Sequence, residues 1–505
     1  MQADVLPKSR PNQVFLLVLV FVVGSASLGA EIAAARLLAP FFGASTIVWA
    51  NTIGVVLVAL SVGYWLGGRF ADRHPNPRGL CLMVMGAALL LSVVPFAAQP
   101  FLRVSVDALE TVEAGAFVGS LVGVLVLVSV PVMLLGAAAP YAIRLAVPDV
   151  ERAGEVAGRL YAVSTAGSLV GTMLSALLLI PFVGTQRTFL VFALALAVVA
   201  AWGLGWRYAA VPAALAVLVT LPVGAVKGDA DGRVLFEDET AYQYVRVVEQ
   251  DDGDRVLELN EGQAVHSLYR PGTYLTGDYW DGYLVLPLAA SEQAPRRVLM
   301  LGNAGGSIAR AYGHYLPRTG FDAVEIDGEL TDLGRRYLDL RNNRMRTFTE
   351  DARPFLARSD LRYDAIMVDV YRQPYIPFYL TTREFFEEVR DHLTATGTVI
   401  INVGHPEGND DLERVLGRTL AAVFPFVSRA PVEETNTLLV AAERPVSAER
   451  MRRATRSMPP EARRLAAEVG GTLAPRLPGG EVYTDDRAPV EWLVDQSILG
   501  YANER

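Results

Sequence analysis

Val298-Leu299-Met300-Leu301-Gly302-Asn303-Ala304-Gly305-Gly306 is the stretch on which the fold turns. A short apolar run that ends in closely spaced glycines reads as a strand, a tight turn and the start of a helix. The chain then offers Val324-Glu325-Ile326-Asp327, Glu350-Asp351-Ala352, and an apolar run 365–368 that ends in Asp369. An acid some twenty residues after a Gly-rich turn, followed by further acids at strand ends, is how a doubly wound sheet holds a nucleoside. The repeat of strand, turn and helix from Arg297 onward predicts a mainly parallel α/β sheet over 291–505, with helices on both faces.

Working outward, residues 227–290 alternate apolar and polar positions, as in 242–248 and 255–260, with Asp-Gly and Glu261-Gly262 pairs between. This predicts antiparallel hairpins, hence a small β-domain. Residues 1–226 have a different texture. Seven apolar stretches, at 14–35, 47–67, 80–98, 117–135, 160–182, 188–204 and 209–226, approach the roughly 20 residues a helix needs to cross a bilayer. This predicts a multi-pass α-helical membrane domain of six or seven helices. The imbalance explains a hydrophobic content of 52% and a mean hydropathy of +0.30, high for a soluble enzyme.

Charge divides the same way. Residues 1–226 hold 12 Lys and Arg against 9 Asp and Glu, and the remainder holds 33 against 45, a net −12. An acidic second half argues against a nucleic-acid partner and suits a cationic substrate. The lone Cys81 excludes a disulfide framework, and five scattered histidines show no metal-ligand spacing, so no metal is expected. Arg69, Arg73 and Arg78, then Arg144, Arg152 and Arg159, concentrate in alternate loops, which places the N-terminus in the cytoplasm. Seven crossings would export the second half. Six would keep it cytoplasmic, the expectation adopted here, because Pro212 and Pro222 weaken the last segment. Glu31 and Arg36 near the end of the first span are charges of the kind that mark function, or that pair with each other. Gly167, Gly171 and Ala176 read as close helix packing.

Within the second half, Gly302 lets backbone approach a ligand. Glu325 and Asp327 lie where carboxylates can accept ribose hydroxyls, Asp351 where an acid can bind an adenine amino group, and Asp369 at a strand end facing the crevice. Residues 236–445, with the tail Thr484-Asp485-Asp486-Arg487-Ala488-Pro489-Val490-Glu491, resemble the spermidine synthase (polyamine aminopropyltransferase) family, in its membrane-fused branch. The resemblance implies a Rossmann-like, methyltransferase-type sheet. It also implies transfer of an aminopropyl group from decarboxylated S-adenosylmethionine to an amine such as putrescine, releasing methylthioadenosine, without a prosthetic group. Through it, Gln243, Gly302, Glu325, Asp351 and Ala352 become nucleoside ligands, and Asp369 the proton acceptor. Tyr279 and Pro377 become substrate-binding residues, Pro377 within the gate-like segment Tyr375-Ile376-Pro377-Phe378. Small-molecule partners, membrane lipid and a homodimer or homotetramer complete the expectation.

Three departures concern the amine. Gly305 stands where the family carries an acid, Trp280 where it carries His or Gln, and Arg372 where it carries a second Asp. A dication would meet fewer carboxylates and one like charge. Two other functions therefore stay open: an S-adenosylmethionine-dependent methyltransferase, and a non-catalytic nucleoside sensor coupled to the membrane.

Overall fold

A computed structural model describes residues 12–42, 46–109, 115–147, 149–220, 232–240, 242–260, 264–291, 293–371, 375–494 and 496. The chain forms two compact units, one of residues 1–109 and 116–228, the other of 110–115 and 229–505.

The first unit is helical. Among the described residues, six helical segments are long and apolar enough to cross a membrane: Gln13–Ala39, Ile47–Arg73, Pro77–Ala98, Ser129–Ala146, Ala153–Val183 and Thr185–Leu204. Helix Gln13–Phe42 packs on Ala153–Leu174, Thr46–Arg73 on Ser129–Ala146, and Pro77–Leu109 on Thr185–Leu204. The contacts are backbone-close. A Cβ on Gly167 or Gly171 would fall 2.1 Å from the Phe21 carbonyl or 2.0 Å from that of Ser25, and Ser25 donates its hydroxyl to the Gly167 carbonyl at 2.8 Å. Small residues thus let the helices meet, as expected at Gly167 and Gly171. The fourth expected span, 117–135, is divided at Val128 between helices Gly115–Leu127 and Ser129–Ala146. Pro131 has no N–H for the Leu127 carbonyl, and its ring crowds that group, so the ladder breaks there. The last helix, Ala210–Val219, is only 10 residues long, about 15 Å, half of a bilayer core.

The second unit contains two sheets. Strands β1 (Arg233–Glu239), β2 (Tyr244–Glu249), β3 (Arg255–Leu259) and β4 (Ala264–Tyr269) form an antiparallel meander in that order. Alternation sends Val245, Val247, Leu257 and Leu259 onto Leu330, Leu333 and Leu338, at and just beyond helix Gly328–Tyr337. Each such buried aliphatic side chain contributes about 1.5–3 kcal/mol.

The larger sheet comprises β5 (Arg297–Leu301), β6 (Gly320–Glu325), β7 (Met345–Thr349), β8 (Tyr363–Val368), β9 (Leu393–Gly404), β10 (Phe426–Pro431), β11 (Asn436–Ala442) and β12 (Ala474–Pro475). Its order is β12-β10-β11-β9-β8-β5-β6-β7. Strands β9, β8, β5, β6 and β7 run parallel; β11, β10 and β12 join antiparallel at one edge. Side chains of β5, β8 and β9 alternate between two cores, Val298, Met300 and Met367 on one face, Leu299, Leu301 and Ile366 on the other. Burial on both faces explains why these strands read as unbroken apolar runs. The α/β doubly wound sheet expected from the sequence is therefore present, with an antiparallel edge. The chain passes from β5 to β6 and β7 on one side and returns to β8 on the other. This is a topological switch point, which opens a crevice at the carboxyl ends of β5 and β8.

Candidate active site

Gly302 and Asp369 follow β5 and β8 directly, so sheet topology alone sets them beside each other. Gly302 has φ +83°, and a Cβ on it would lie 2.1 Å from the Asp369 carbonyl oxygen; only glycine fits. Gly306, at φ +85°, then opens helix Ser307–Tyr315.

Glu325 ends β6 and reaches under this turn. Its Oε2 accepts the N–H groups of Asn303 (3.0 Å) and Ala304 (2.8 Å), and its Oε1 accepts that of Asp327 (3.0 Å). Gly305 donates its N–H to Ser267 Oγ at 2.9 Å, and Gly306 donates to the Asn303 carbonyl at 2.8 Å. Four successive loop N–H groups are thus satisfied internally. A helix N-terminus favours negative charge, and here Glu325 supplies it, so the loop is not a phosphate cradle of the kind dinucleotide sites use. Burial pushes the Glu325 carboxyl up, against the three N–H donors that hold it down. Asn303 Oδ1 is buried without a hydrogen-bond partner in the same loop.

Asp327 caps helix Gly328–Tyr337 through the Glu329 N–H at 3.3 Å and accepts the Thr240 hydroxyl at 2.6 Å. Thr240 also binds the Gln243 carbonyl through its N–H (2.9 Å) and hydroxyl (3.0 Å). The turn that carries Gln243 is therefore hooked to the β6 acids. Asp351 caps helix Ala352–Arg358, accepting the Arg353 N–H at 3.1 Å and the Tyr379 hydroxyl at 2.6 Å; Ala352 is buried behind it. Arg353 in turn pairs with Asp485 at 2.8 Å and Glu388 at 2.8 Å. The conspicuous acidic tail thus buttresses the Asp351 helix.

Asp369 is held from two sides. Tyr279 donates its hydroxyl to Oδ2 at 3.1 Å, and Asn402 donates Nδ2 to Oδ1 at 3.1 Å. Asn436 fixes Asn402 in turn, donating to its Oδ1 at 2.9 Å. Burial raises the Asp369 carboxyl to about 6, against hydrogen bonds from Asn402, Tyr279 and Trp280 that lower it. Burial and the neighbouring Asp369 push the Tyr279 phenol well up, so it stays a donor. Tyr283 donates to the Val368 carbonyl at 2.9 Å and steadies the strand end. Glu433 accepts the Tyr279 N–H, and burial raises the carboxyls of Glu433, Asp278 and Asp281 around it.

Asn402 and Asn436 were not singled out in the sequence. The available signal was a polar residue closing the apolar run Val399-Ile400-Ile401, as Asp369 closes its own strand. Of the departures, Gly305 sits in close quarters: a Cβ there would lie 2.6 Å from Leu338 Cδ1 and 3.0 Å from Ser267 Cβ, so an acid would require the Leu338 side chain to shift. Trp280 is buried against Tyr279, ring centroids 4.8 Å apart. Arg372 lies outside the described residues. Pro377 leads into the short helix Phe378–Leu380, and Tyr375 and Ile376 of the expected gate are buried in the sheet's second core.

Residues 285–437 match the family described as spermine/spermidine synthase domain. A probable polyamine aminopropyl transferase of Bifidobacterium longum is 32% identical over 234 residues, 46% of this chain and 52% of that protein. The polyamine aminopropyltransferase of Vibrio vulnificus is 31% identical over 150 residues, 29% of this chain and 50% of that protein. The chain thus spans about half the length of these two relatives. Polyamine aminopropyltransferase 1 of Ralstonia nicotianae is 26% identical over 442 residues, 79% of this chain and 78% of its own. Among solved structures, a probable spermidine synthase from Corynebacterium glutamicum aligns with TM-score 0.38 and 18% identity, over 51% of this chain and all of that one.

Proposed function

From the premise that the chain carries a spermine/spermidine synthase domain, we propose that it is a membrane-anchored aminopropyltransferase. The donor is decarboxylated S-adenosylmethionine and the acceptor a small amine. The acceptor nitrogen attacks the aminopropyl carbon next to the sulfonium. A C–N bond forms, the C–S bond breaks, and the electron pair leaves with neutral methylthioadenosine. The proton the amine must lose goes to the Asp369 carboxylate. Most of the rate then comes from holding nitrogen, carbon and sulfur in line, with proton transfer adding about 10²–10⁴-fold.

The observation that carries this reading is Asp369 itself. It is a carboxylate at the switch point of the sheet, aimed by Tyr279 and Asn402, with a pKa of about 6 that leaves it a competent base at neutral pH. The Gly-rich turn supports it from the other side. A loop whose N–H groups are already bonded suits a nucleoside that bears no phosphate. Gln243, Gly302, Glu325, Asp351 and Ala352 are assigned to the nucleoside, Tyr279 and Pro377 to the acceptor side. The absence of an acid at Gly305 argues for an acceptor held by fewer carboxylates, with the half-buried carboxyls of Asp278 and Glu433 beside Tyr279 raised by burial.

The test is incubation of the purified full-length protein with decarboxylated or intact S-adenosylmethionine and a panel of mono-, di- and triamines, products read by mass. Aminopropylated amine together with methylthioadenosine is expected. Methylated product from intact S-adenosylmethionine would replace this reading with a methyltransferase, and no turnover with tight nucleoside binding would replace it with a sensor.

The catalytic unit is assigned to the cytoplasmic face. Six crossings return the chain to the side of its N-terminus, and on that reading the helix ends bearing Arg73, Arg78 and Arg144, with Arg152 beyond them, lie on that side. Helix Ala210–Val219 then lies along the interface, anchored by the exposed Trp206.

A further inference from the structure

Helices Thr46–Arg73, Pro77–Leu109 and Ser129–Ala146 enclose an open groove of about 660 Å³. The groove exists because backbones meet at its floor. A Cβ on Gly63 would lie 2.2 Å from the Met133 carbonyl, and one on Gly67 2.5 Å from Ala137 Cα. Larger side chains therefore stand out as walls, with Leu66 41%, Phe70 49% and Leu82 50% exposed. From Gly63 to Arg73 the groove follows the helix for about 15 Å, the depth of one leaflet. A second apolar groove of about 430 Å³ continues from Met133 toward Ala50.

One end of the first groove is basic. Arg69 and Arg73 both line it, both are exposed, and neither forms an ion pair among the described residues. Arg69 lies over the Trp65 ring at 4.9 Å, which orients the guanidinium without neutralising it. The acid between them, Asp72, is already taken by Arg144 at 3.0 Å. An apolar channel one leaflet deep, closed by two unneutralised guanidinium groups at the headgroup level, matches a molecule with an acyl chain and an anionic head.

We infer that this groove is a binding site for an anionic phospholipid of the cytoplasmic leaflet, its phosphate on Arg69 and Arg73 and one acyl chain against Leu66, Phe70, Leu82 and Met133. The inference rests on the membrane placement of the first unit. Carbonate extraction of native membranes tests that placement separately, since a protein released by carbonate overturns the placement, and the lipid site with it.

For a protein that stays in the membrane, the site is tested by native mass spectrometry of the purified full-length chain, titrated with phosphatidylglycerol or phosphatidylcholine of identical acyl chains. Phosphatidylglycerol is expected to bind about tenfold or more tightly than phosphatidylcholine. The pair R69Q/R73Q should remove that preference, R69K/R73K should keep most of it, and R152Q/R159Q, which deletes equal charge elsewhere, should leave it unchanged. Retention of both lipids alike would overturn the site. So would an equal loss in R152Q/R159Q, which would mark general attraction to a basic surface. Glycerol 3-phosphate should not compete; competition by it would show an anion site that does not use the groove.

Discussion

Asp369→Asn keeps the shape of the side chain and removes its charge and basicity. Its two partners define what the variant can do. Asn402 Nδ2 is an obligate donor at 3.1 Å and keeps the amide oxygen, while the Tyr279 hydroxyl, also at 3.1 Å, can rotate to accept the new N–H. The site should therefore stay assembled while the base is lost. Removing general-base assistance predicts a fall in kcat of about 10²–10⁴, or about 3–5 kcal/mol of barrier. The parent protein should also show an acid limb near pH 6, where Asp369 protonates, and the variant should lack it. Stability should move the other way. The folded carboxyl is raised from 3.8 to about 6, so the native state disfavours its charged form, and Asp369 costs stability above about pH 6. The variant should therefore be more stable at pH 7.5 by about 1–3 kcal/mol, with the gain fading as pH falls from 6 towards 4. Steady-state kinetics from pH 5 to 9, with product read by mass, and thermal melts at pH 4.5 and 7.5 measure both. A variant with kcat within threefold of the parent and the same acid limb would refute the assignment of Asp369 as proton acceptor.

Glu325→Gln and Asp351→Asn should each weaken methylthioadenosine binding by about 1–3 kcal/mol in calorimetry. Because Asn caps a helix as well as Asp does, Asp351→Asn should leave the melting temperature unchanged, and unaltered affinity in both variants would place the nucleoside elsewhere. Tyr279→Phe removes a hydrogen bond that holds the Asp369 carboxyl down, so the acid limb of kcat should move above about 6; a limb that stays put would show that Tyr279 does not tune the base. In a Cys81→Ser background, a cysteine introduced by Ser291→Cys should resist an impermeant maleimide in intact cells and react after permeabilisation, and labelling without permeabilisation would place the catalytic unit outside.

The sequence by itself determined the classes of structure and singled out the strand-end acids of the candidate site. Helical spans declare themselves because a bilayer demands long apolar runs, and β5 and β8 do so because strands buried on both faces cannot afford polar residues. Acids that end such strands, Glu325 and Asp369, stand out for the same reason: the apolar run stops where the chain leaves the sheet. These signals are local, and a local pattern suffices to read them.

What only the tertiary structure decided is which groups those acids meet. Tyr279 lies 90 residues from Asp369, and Arg353 lies 132 from Asp485; strand order, not spacing, brings them together. The same holds for Asn402 and Asn436, which orient Asp369 from two antiparallel neighbours that no pattern near Asp369 announces. Glu325 read as a ribose ligand, and folding turns it beneath the Gly-rich loop, where it accepts the N–H groups of Asn303 and Ala304. The loss of an acid at Gly305 read as a change in substrate, and the fold shows that an acid there would also have to displace the Leu338 side chain. In the helical unit, hydropathy located the apolar spans, but Pro131 moved a boundary, and the groove beside Arg69 exists only because Gly63 and Gly67 bring two helices into contact. Hydrogen bonds and steric exclusion act over about 3 Å in space, and only the folded chain sets which residues fall within that reach.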